Sequence, residues 1–183
     1  MRPDLREPWR GFLRELDAAL PHVVSLHCLG GFVLTVCYAM PRATADIGVL
    51  TVVPGADTAT LVRSAGKGSP LHTKHRVYLD FVTVANYPDS YQDRVVDAFP
   101  DLFQRLRLMV LDPYDLALSK LDRNAPHDRE DVFYLAQVVP LDLGVLEARY
   151  RLEMRPYLGV SKREDLSLQL WIDAITERRL RRS

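Results

Sequence analysis

Short apolar segments rich in β-branched residues occur only in the first 111 residues of this 183-residue chain, and beyond them the pattern is helical throughout. Such segments predict buried strands. A first half in which predicted strands are mixed with helices, followed by a second half of helices only, favours an α+β fold that ends in a helical bundle. We therefore expect an α/β core over residues 1–111 and a helical part over 112–183 packed on it as one compact domain. The predicted strands are Val23–Leu29, Ile47–Val53, Val77–Val84 and Leu106–Leu111.

Apolar residues at three- and four-residue steps predict the helices. In the second half, Asp112 followed by Pro113 predicts a capped helix start, and Ser161 with Glu164 predicts a capping box. The Gly-, Ser- and Lys-rich segment 66–74 predicts a loop. The other predicted helices are Leu5–Leu20, Phe32–Met40, Ala56–Ala65, His127–Val139 and Leu141–Arg155.

Composition excludes some classes of protein. Acidic and basic residues balance to a net charge of zero, which argues against a general polyanion binder but permits a local basic face. The longest apolar run, around residues 29–40, is too short to span a bilayer, and no targeting signal is visible. We therefore expect a cytoplasmic protein without a membrane partner. Cys28 and Cys37 are predicted to be buried free thiols, with a disulfide between them as the alternative.

Two glycines are placed where a phosphate could approach the backbone. Gly30 and Gly31 follow a predicted strand and open a predicted helix. Bare backbone at this position, together with the N–H groups of the helix start, can bind a phosphate. On its own the pair is weak evidence, because most such pairs are only turns.

Two carboxylates lie in or beside apolar strands. Asp46 begins one strand, and Asp80 lies in the middle of another. A carboxylate inside an apolar strand is costly unless it is paired or binds a metal. Two of them on neighbouring strands can hold Mg²⁺, which prefers one or two protein carboxylates plus substrate phosphates. The alternative is that Asp80 faces solvent on a half-exposed strand.

These residues, read together, resemble a known pattern. Gly30–Gly31, then Arg42-x-Thr44-x-Asp46, then Asp80 is similar to the glycine turn and acidic residues of the nucleotidyltransferase superfamily. A later motif resembles that of the abortive-infection and MenT-type toxin transferases. In it a lysine on one helix, Lys120, precedes acids at the start of the next helix, Asp128 and Asp131. The resemblance covers residues 23–155 and implies a mixed sheet flanked by helices.

The resemblance also implies roles for these residues. Asp46 and Asp80 would bind Mg²⁺, and Asp80 would help to activate the incoming hydroxyl. Lys120 would contact the triphosphate, oriented by Asp128 or Asp131, in one pocket with the glycine turn. The residues of the implied nucleotide site are Gly30, Gly31, Arg42, Thr44 and Lys120. Without the resemblance, Lys120 reads as a surface lysine, and Asp128 and Asp131 read as acids that serve the helix start.

The implied reaction is transfer of a nucleotide from an NTP to RNA, such as a tRNA 3′ end, by a toxin whose partner is an antitoxin. One residue departs from the pattern: Gly48 stands where the superfamily has a second metal-binding Asp. The enzyme then works with Asp46 and Asp80 alone, or uses another acid, or is a degenerate nucleotide-binding or interaction module. Transfer onto a protein hydroxyl is a further alternative. The segment from Lys67 to Arg76 is predicted either to grip phosphate or RNA or to be a solvated loop.

Overall fold

A computed structural model describes residues 5–83 and 85–181 of the chain. The contacts between residues divide the chain into two compact units. The first comprises Met1–Thr83 and Val95–Leu111, and the second comprises Val84–Arg94 and Asp112–Ser183. Residues 85–94 therefore belong to the second unit, although strands of the first unit precede and follow them in sequence.

The first unit alternates helices and strands. An amphipathic helix leads into a strand, and short helices separate most of the strands that follow. The elements are α1 (Trp9–Ala19), β1 (Val24–Leu29), α2 (Gly31–Tyr38), β2 (Asp46–Val53), α3 (Thr58–Ala65), α4 (Pro70–His75), β3 (Tyr78–Phe81), β4 (Val96–Asp97) and β5 (Leu106–Val110).

The five strands form one mixed sheet in the order β3-β2-β1-β5-β4. The central strand β1 pairs antiparallel with β2 and parallel with β5. Strand β2 pairs parallel with β3, and β4 pairs antiparallel with β5. The sheet register shifts between His27 and Cys28, so that Leu50 of β2 has no direct partner on β1. This β-bulge changes which residues of β2 face the core.

One face of the sheet forms the core of the first unit. Its apolar side chains are at most 8% exposed, and they are Val24, Leu26, Cys28, Ile47, Val49, Val52, Leu79, Leu106, Leu108 and Val110. Helices α1 and α2 bury Phe12, Leu13 and Phe32 completely, and the Trp9 and Phe32 rings meet edge to face with centroids 5.0 Å apart. The opposite face of the sheet therefore carries the alternate residues, among them the polar ones of β2 and β3.

The second unit is helical within its described residues. It begins with a 3₁₀ turn at Asp89–Asp93 and continues with α5 (Pro113–Leu118), α6 (Pro126–Val138), α7 (Leu143–Arg149) and α8 (Lys162–Leu180). A π-helical turn (Tyr150–Met154) and a 3₁₀ turn (Arg155–Tyr157) follow α7. The prediction of an α+β fold with a mixed sheet, flanking helices and a C-terminal helical region is confirmed.

Two local predictions were wrong, and two short elements were not predicted. The predicted loop 66–74 contains most of α4, because Ser69 caps the helix by accepting the N–H of His72 and Pro70 occupies its first turn. Strand β4 and the 3₁₀ turn before it were not predicted, since both are too short to show a period. The helix expected over 141–155 ends at Arg149 and continues as the π-helical and 3₁₀ turns.

The predicted capping box at the start of α8 does not form. No side chain caps this helix, and the hydroxyl of Ser161 lies 3.2 Å from Oδ2 of Asp165. Glu164 is instead buried, with 4% of its surface exposed. The capping pattern was therefore right about where the helix starts and wrong about what the two side chains bind.

Two further sequence expectations concern thiols and membranes. Cys28 and Cys37 are both free, Cys28 buried and Cys37 partly so. Burial raises the pKa of the Cys37 thiol to about 11, so this thiol is protonated at neutral pH and a poor nucleophile. Within residues 5–83 and 85–181, no helix has both the length and the apolar character that crossing a bilayer requires.

A single carboxylate joins α1 to the start of β5. Asp17 accepts the backbone N–H groups of Gln104, Arg105 and Leu106 at 3.1, 2.7 and 2.8 Å. Burial opposes ionisation, but these hydrogen bonds and the charge of Arg105 lower the pKa of Asp17 below its ordinary value of 3.8. The carboxylate therefore stabilises the fold in its charged form.

We expect Asp17→Asn to lower the free energy of unfolding by about 1–3 kcal/mol at pH 7, because hydrogen bonds to a charged acceptor are lost. The stabilisation is complete above the unfolded-state pKa and is lost as pH falls through the lowered folded-state pKa. Urea unfolding of both proteins from pH 7 to pH 3 measures this difference. Asp173→Asn, at an exposed residue that accepts from Gln169 one turn away, is the control and should change little.

Candidate functional site

The turn after β1 has the geometry that a phosphate site needs. Gly30 has φ of 83°, a left-handed conformation that side chains disfavour, and α2 begins at the next residue. No side chain caps this helix start. The first N–H groups of α2 are therefore available for an anion, and the positive end of the helix dipole favours one there.

Gly31 allows two polar side chains to lie close to this helix start. A Cβ built on Gly31 would be 3.0 Å from Nη2 of Arg42 and 3.3 Å from Oγ1 of Thr44. The same hydroxyl lies 3.5 Å from Oδ1 of Asp46. The predicted nucleotide-binding residues Gly31, Arg42 and Thr44 thus meet beside Asp46, although Gly31 is distant from the other three in sequence.

The register between β2 and β3 places the predicted metal ligands on one face. Gly48 pairs directly with Asp80, and Asp46 lies two residues before Gly48 on the same strand. Residues two apart on a strand share a face, as do directly paired residues. Asp80 is exposed, and its carboxylate forms no hydrogen bond or ion pair with any other residue in the described part of the chain. Asp46 and Asp80 therefore flank the position of Gly48 on the face opposite to the core.

A third carboxylate at position 48 would be crowded. A Cβ built on Gly48 would lie 3.1 Å from the backbone oxygen of Leu29, its partner on β1. Such a contact requires the strands to separate by a few tenths of an ångström. The departure from the superfamily pattern at Gly48 thus coincides with a close approach between two backbones.

An aromatic side chain with a lysine and a histidine beside it adjoins the carboxylates. Tyr78 pairs directly with Asp46 and shares a face with Asp80. The ammonium of Lys67 lies 5.8 Å from the centre of the Tyr78 ring, and the His72 ring meets it edge to face with centroids 5.0 Å apart. The segment predicted either to bind phosphate or to be a solvated loop thus brings a positive charge to this aromatic ring.

The predicted lysine of the second unit is buried in an ion pair. The Lys120 side chain is 6% exposed, and its ammonium lies 2.6 Å from Oδ2 of Asp131 and 3.6 Å from Oδ1 of Asp128. Both carboxylates are fully buried. Lys120 is therefore not a surface lysine, and the two acids fix the position of its ammonium. Its predicted contact with a triphosphate stays a prediction.

The two acids of α6 have different local roles. Asp128 accepts the N–H of Ala125 at 3.0 Å, as an acid in the first turn of a helix does, and also binds Arg123 at 2.6 and 2.7 Å. Burial opposes its ionisation, but the Arg123 hydrogen bonds and the charge of Lys120 lower the pKa of Asp128. Asp131 lies beyond the first turn, so it does not cap the helix, and it accepts from the ammonium of Lys120.

Sequence reasoning missed a second buried ionic cluster. Asp115 is fully buried and accepts from Arg94 at 2.8 and 3.1 Å and from Arg149 at 3.0 Å. Arg94 also binds Glu153, and Arg149 also binds Asp112. The sequence showed only an acid in the first turn of a helix, because its two arginines are distant along the chain. This cluster links the 3₁₀ turn, α5 and α7 within the second unit.

The donor set of the first unit suits one kind of metal ion. No group of three or more His, Cys, Asp or Glu side chains able to hold a metal occurs in the described part of the chain. A zinc site of several protein ligands is therefore not formed by these residues. Asp46 and the unpartnered Asp80 fit Mg²⁺, which takes one or two carboxylates and fills its remaining positions with water and substrate phosphates.

The comparisons with known proteins agree with this geometry. Residues 13–177 match a family described as a nucleotidyltransferase of unknown function, DUF6036. No curated protein and no solved structure matches the chain. The family match covers most of the chain, including the glycine turn, both carboxylates and the helical motif. The chain belongs to this family of nucleotidyltransferases.

Proposed function

We propose that this protein transfers a nucleotide from an NTP to a hydroxyl acceptor, using Asp46 and Asp80 to hold Mg²⁺. The observation that carries the proposal is the register of β2 with β3, which sets these acids on one open face. The start of α2 and Arg42 lie close to Thr44, which contacts Asp46, and both suit the phosphates of an NTP. Mg²⁺ would neutralise charge that develops on the phosphates during transfer.

Each residue of the first unit has a proposed task in the reaction. The N–H groups at Gly31 and the guanidinium of Arg42 bind phosphate oxygens. Asp80 takes the proton of the incoming hydroxyl, whose oxygen bonds to the α-phosphorus while the bond from phosphorus to pyrophosphate breaks. The hydroxyl of Thr44, which donates to the backbone oxygen of Asp46 at 3.2 Å, helps to position Asp46. Positioning of this kind supplies much of the rate of phosphoryl and nucleotidyl transfer.

We propose that the acceptor is RNA, such as a tRNA 3′ end, and that the protein acts as a toxin, as its resemblance to the abortive-infection and MenT-type transferases suggests. Tyr78 with Lys67 beside it supports an RNA acceptor, because bases stack on aromatic rings and cations bind the backbone. An antitoxin partner follows from the toxin proposal. The zero net charge confines any RNA contact to such local features.

Removal of either carboxylate should abolish transfer. We expect Asp46→Asn and Asp80→Asn each to lower the rate at least about 100-fold, since a metal ion contributes several kcal/mol of transition-state stabilisation. The assay incubates the protein with Mg²⁺, α-labelled NTPs and total RNA and counts label in RNA. Removing Mg²⁺ with a chelator should have the same effect as the substitutions.

The control is Asp101→Asn, at an exposed turn residue with φ of 69° where Asn is as well tolerated as Asp. Label in protein instead of RNA would move the acceptor to a protein hydroxyl. Nucleotide binding without any transfer would contradict the enzymatic proposal and favour a degenerate binding module.

Substitutions at position 48 test whether the protein is an enzyme that works with two carboxylates or a degenerate relative that has lost catalysis. We expect Gly48→Asp to be no more active than the natural protein, because its Cβ would crowd the Leu29 oxygen and its charge would lie beside Asp80. Gly48→Ala adds the same Cβ without the charge and serves as the matched variant. Transfer that appears only in Gly48→Asp would show that the natural chain had lost catalysis with this residue.

We further propose that Lys120, held by Asp131 and Asp128, contributes its positive charge to binding the triphosphate. Lys120→Met alone should cost about 3–5 kcal/mol of stability, because it leaves Asp131 buried without its ammonium. Combining it with Asp131→Leu replaces the whole pair by apolar groups and should recover most of that loss. Chemical denaturation of the single and double variants measures this.

The double variant tests whether the role of Lys120 is only structural. We expect it to be folded but to bind NTP weakly and to transfer poorly, with the loss chiefly in KM. A folded double variant with natural activity would restrict Lys120 and Asp131 to a structural role and would leave the carboxylate site of the first unit untouched.

A further inference from the structure

A cavity of ≈ 510 Å³ lies in the second unit, between the C-terminal half of α6, the bend that follows this helix and the last turns of α8. Its volume is within the range of small-molecule sites, about 300–1,000 Å³. None of its lining residues belongs to the proposed transfer site, so a ligand could bind here whether or not the protein transfers nucleotides.

Most of the cavity wall is apolar. Leu141 and Ile175 line it and are at most 2% exposed, whereas Val138 leaves 47% of its surface open to solvent. The ring of Phe133 also lines the cavity. A wall of this kind removes the carbon skeleton of a ligand from water, which favours binding.

The charged groups of this wall are positive. Arg178 and Arg179 line the cavity, and no acidic side chain belongs to the lining that the structure describes. Both arginines lie in the last turn of α8, where the negative end of the helix dipole offsets about half a unit charge. Glu177, their neighbour in sequence, pairs with Arg181, so that pair contributes no net charge. The wall therefore remains positive and suits an anion.

Neutral groups hold both guanidiniums in place. Arg178 lies over the Phe133 ring, with Cζ 4.0 Å from the ring centre, and Arg179 donates from Nη2 to the backbone oxygen of Leu141 at 2.7 Å. Within residues 5–83 and 85–181, Arg178 forms no hydrogen bond or ion pair. A ring contact this short uses the face of the guanidinium. The N–H groups along the edge of Arg178 are therefore available to a planar acceptor that binds two of them, such as a carboxylate.

The backbone of the bend offers few partners to a peptide. The N–H groups of Val139 and Leu141 donate to the oxygens of Leu135 and Val139 at 2.9 and 2.8 Å. The Leu141 oxygen accepts from Arg179, and Pro140 has no N–H to donate. A peptide in this cavity would leave amide groups of its own without partners, which is costly. A small ligand without a peptide backbone fits better.

We propose that this cavity binds a small organic acid with an apolar body, whose carboxylate accepts from the guanidinium of Arg178. The carbon skeleton of the acid lies against Phe133, Val138 and Ile175, and Arg179 adds a second positive charge to the wall. Inorganic phosphate and the backbone of a nucleic acid fit less well, because they are strongly hydrated and gain nothing from the apolar part of the wall.

The test compares probes of similar size on the natural protein. Titrations with 4-phenylbutanoate and with 4-phenyl-1-butanol are followed by amide NMR shifts. We expect the acid to shift the amides of α6, the bend and α8 that line the cavity. It should bind at least about tenfold more tightly than the alcohol, because only the acid forms hydrogen bonds between charged groups. The cationic 4-phenylbutylamine should bind more weakly than either, since the wall is positive.

The variant Arg178→Gln removes the charge that the proposal assigns to the carboxylate. We expect it to weaken binding of 4-phenylbutanoate about tenfold and to leave binding of the alcohol unchanged. Arg178→Lys keeps the charge but loses the paired N–H groups, so it should recover only part of the affinity. The matched control is Arg14→Gln, which makes the same change of charge at an exposed residue of α1 and should bind the acid normally.

Four results would overturn the proposal. The acid shifts no amide of the cavity wall, or the acid and the alcohol bind equally, or Arg178→Gln keeps full affinity for the acid. The fourth is that inorganic phosphate or a single-stranded oligouridylate shifts the same amides more strongly than the acid does, which would indicate a phosphate site. If Arg178→Gln fails to fold, the probes on the natural protein still decide the question.

Discussion

The alternation of side chains along β1, β2 and β3 is the constraint on which the first unit depends. Every second residue of these strands is apolar and buried, so a slip of one residue in the pairing would expose the core. The same alternation puts Asp46, Gly48 and Asp80 on the other face. The bulge at Leu50 lies beyond Gly48, so it returns Val52 to the core without moving the carboxylates. The same pairing of these strands therefore buries the hydrophobic core on one face of the sheet and places the candidate site on the other.

Buried charge is a main feature of the second unit. Asp115, Asp128 and Asp131 are fully buried, and each has at least one cationic partner. Buried ion pairs contribute little net stability, because desolvation offsets much of the attraction, but loss of one partner is expensive. Such pairs restrict which helix arrangements are tolerable. They also hold Lys120 in one place, which is a property that a phosphate-binding group and a purely structural group would share.

The chemistry of the candidate site depends on how its other residues act when position 48 carries no carboxylate. The close approach of the Leu29 oxygen suits a glycine there, while Asp80 on the next strand lacks any partner among the described residues. An exposed, unpaired acid on this face is not required by folding, which agrees with the proposal that Asp80 binds a ligand.

The sequence by itself determined the class of fold, most element positions and the residues of the candidate site, because hydrophobic period and turn residues act over a few neighbours. It identified the glycine turn and the acids Asp46 and Asp80 before their geometry was known. It did not determine strand order, the bulge, the Lys67–Tyr78 contact, or the fate of Glu164, whose expected capping bond was replaced by burial against Arg163. It also missed the pairing of Arg94 with Asp115. Most of these features join residues that are not neighbours in the chain, and the burial of a side chain depends on the whole fold, so only tertiary packing decides them.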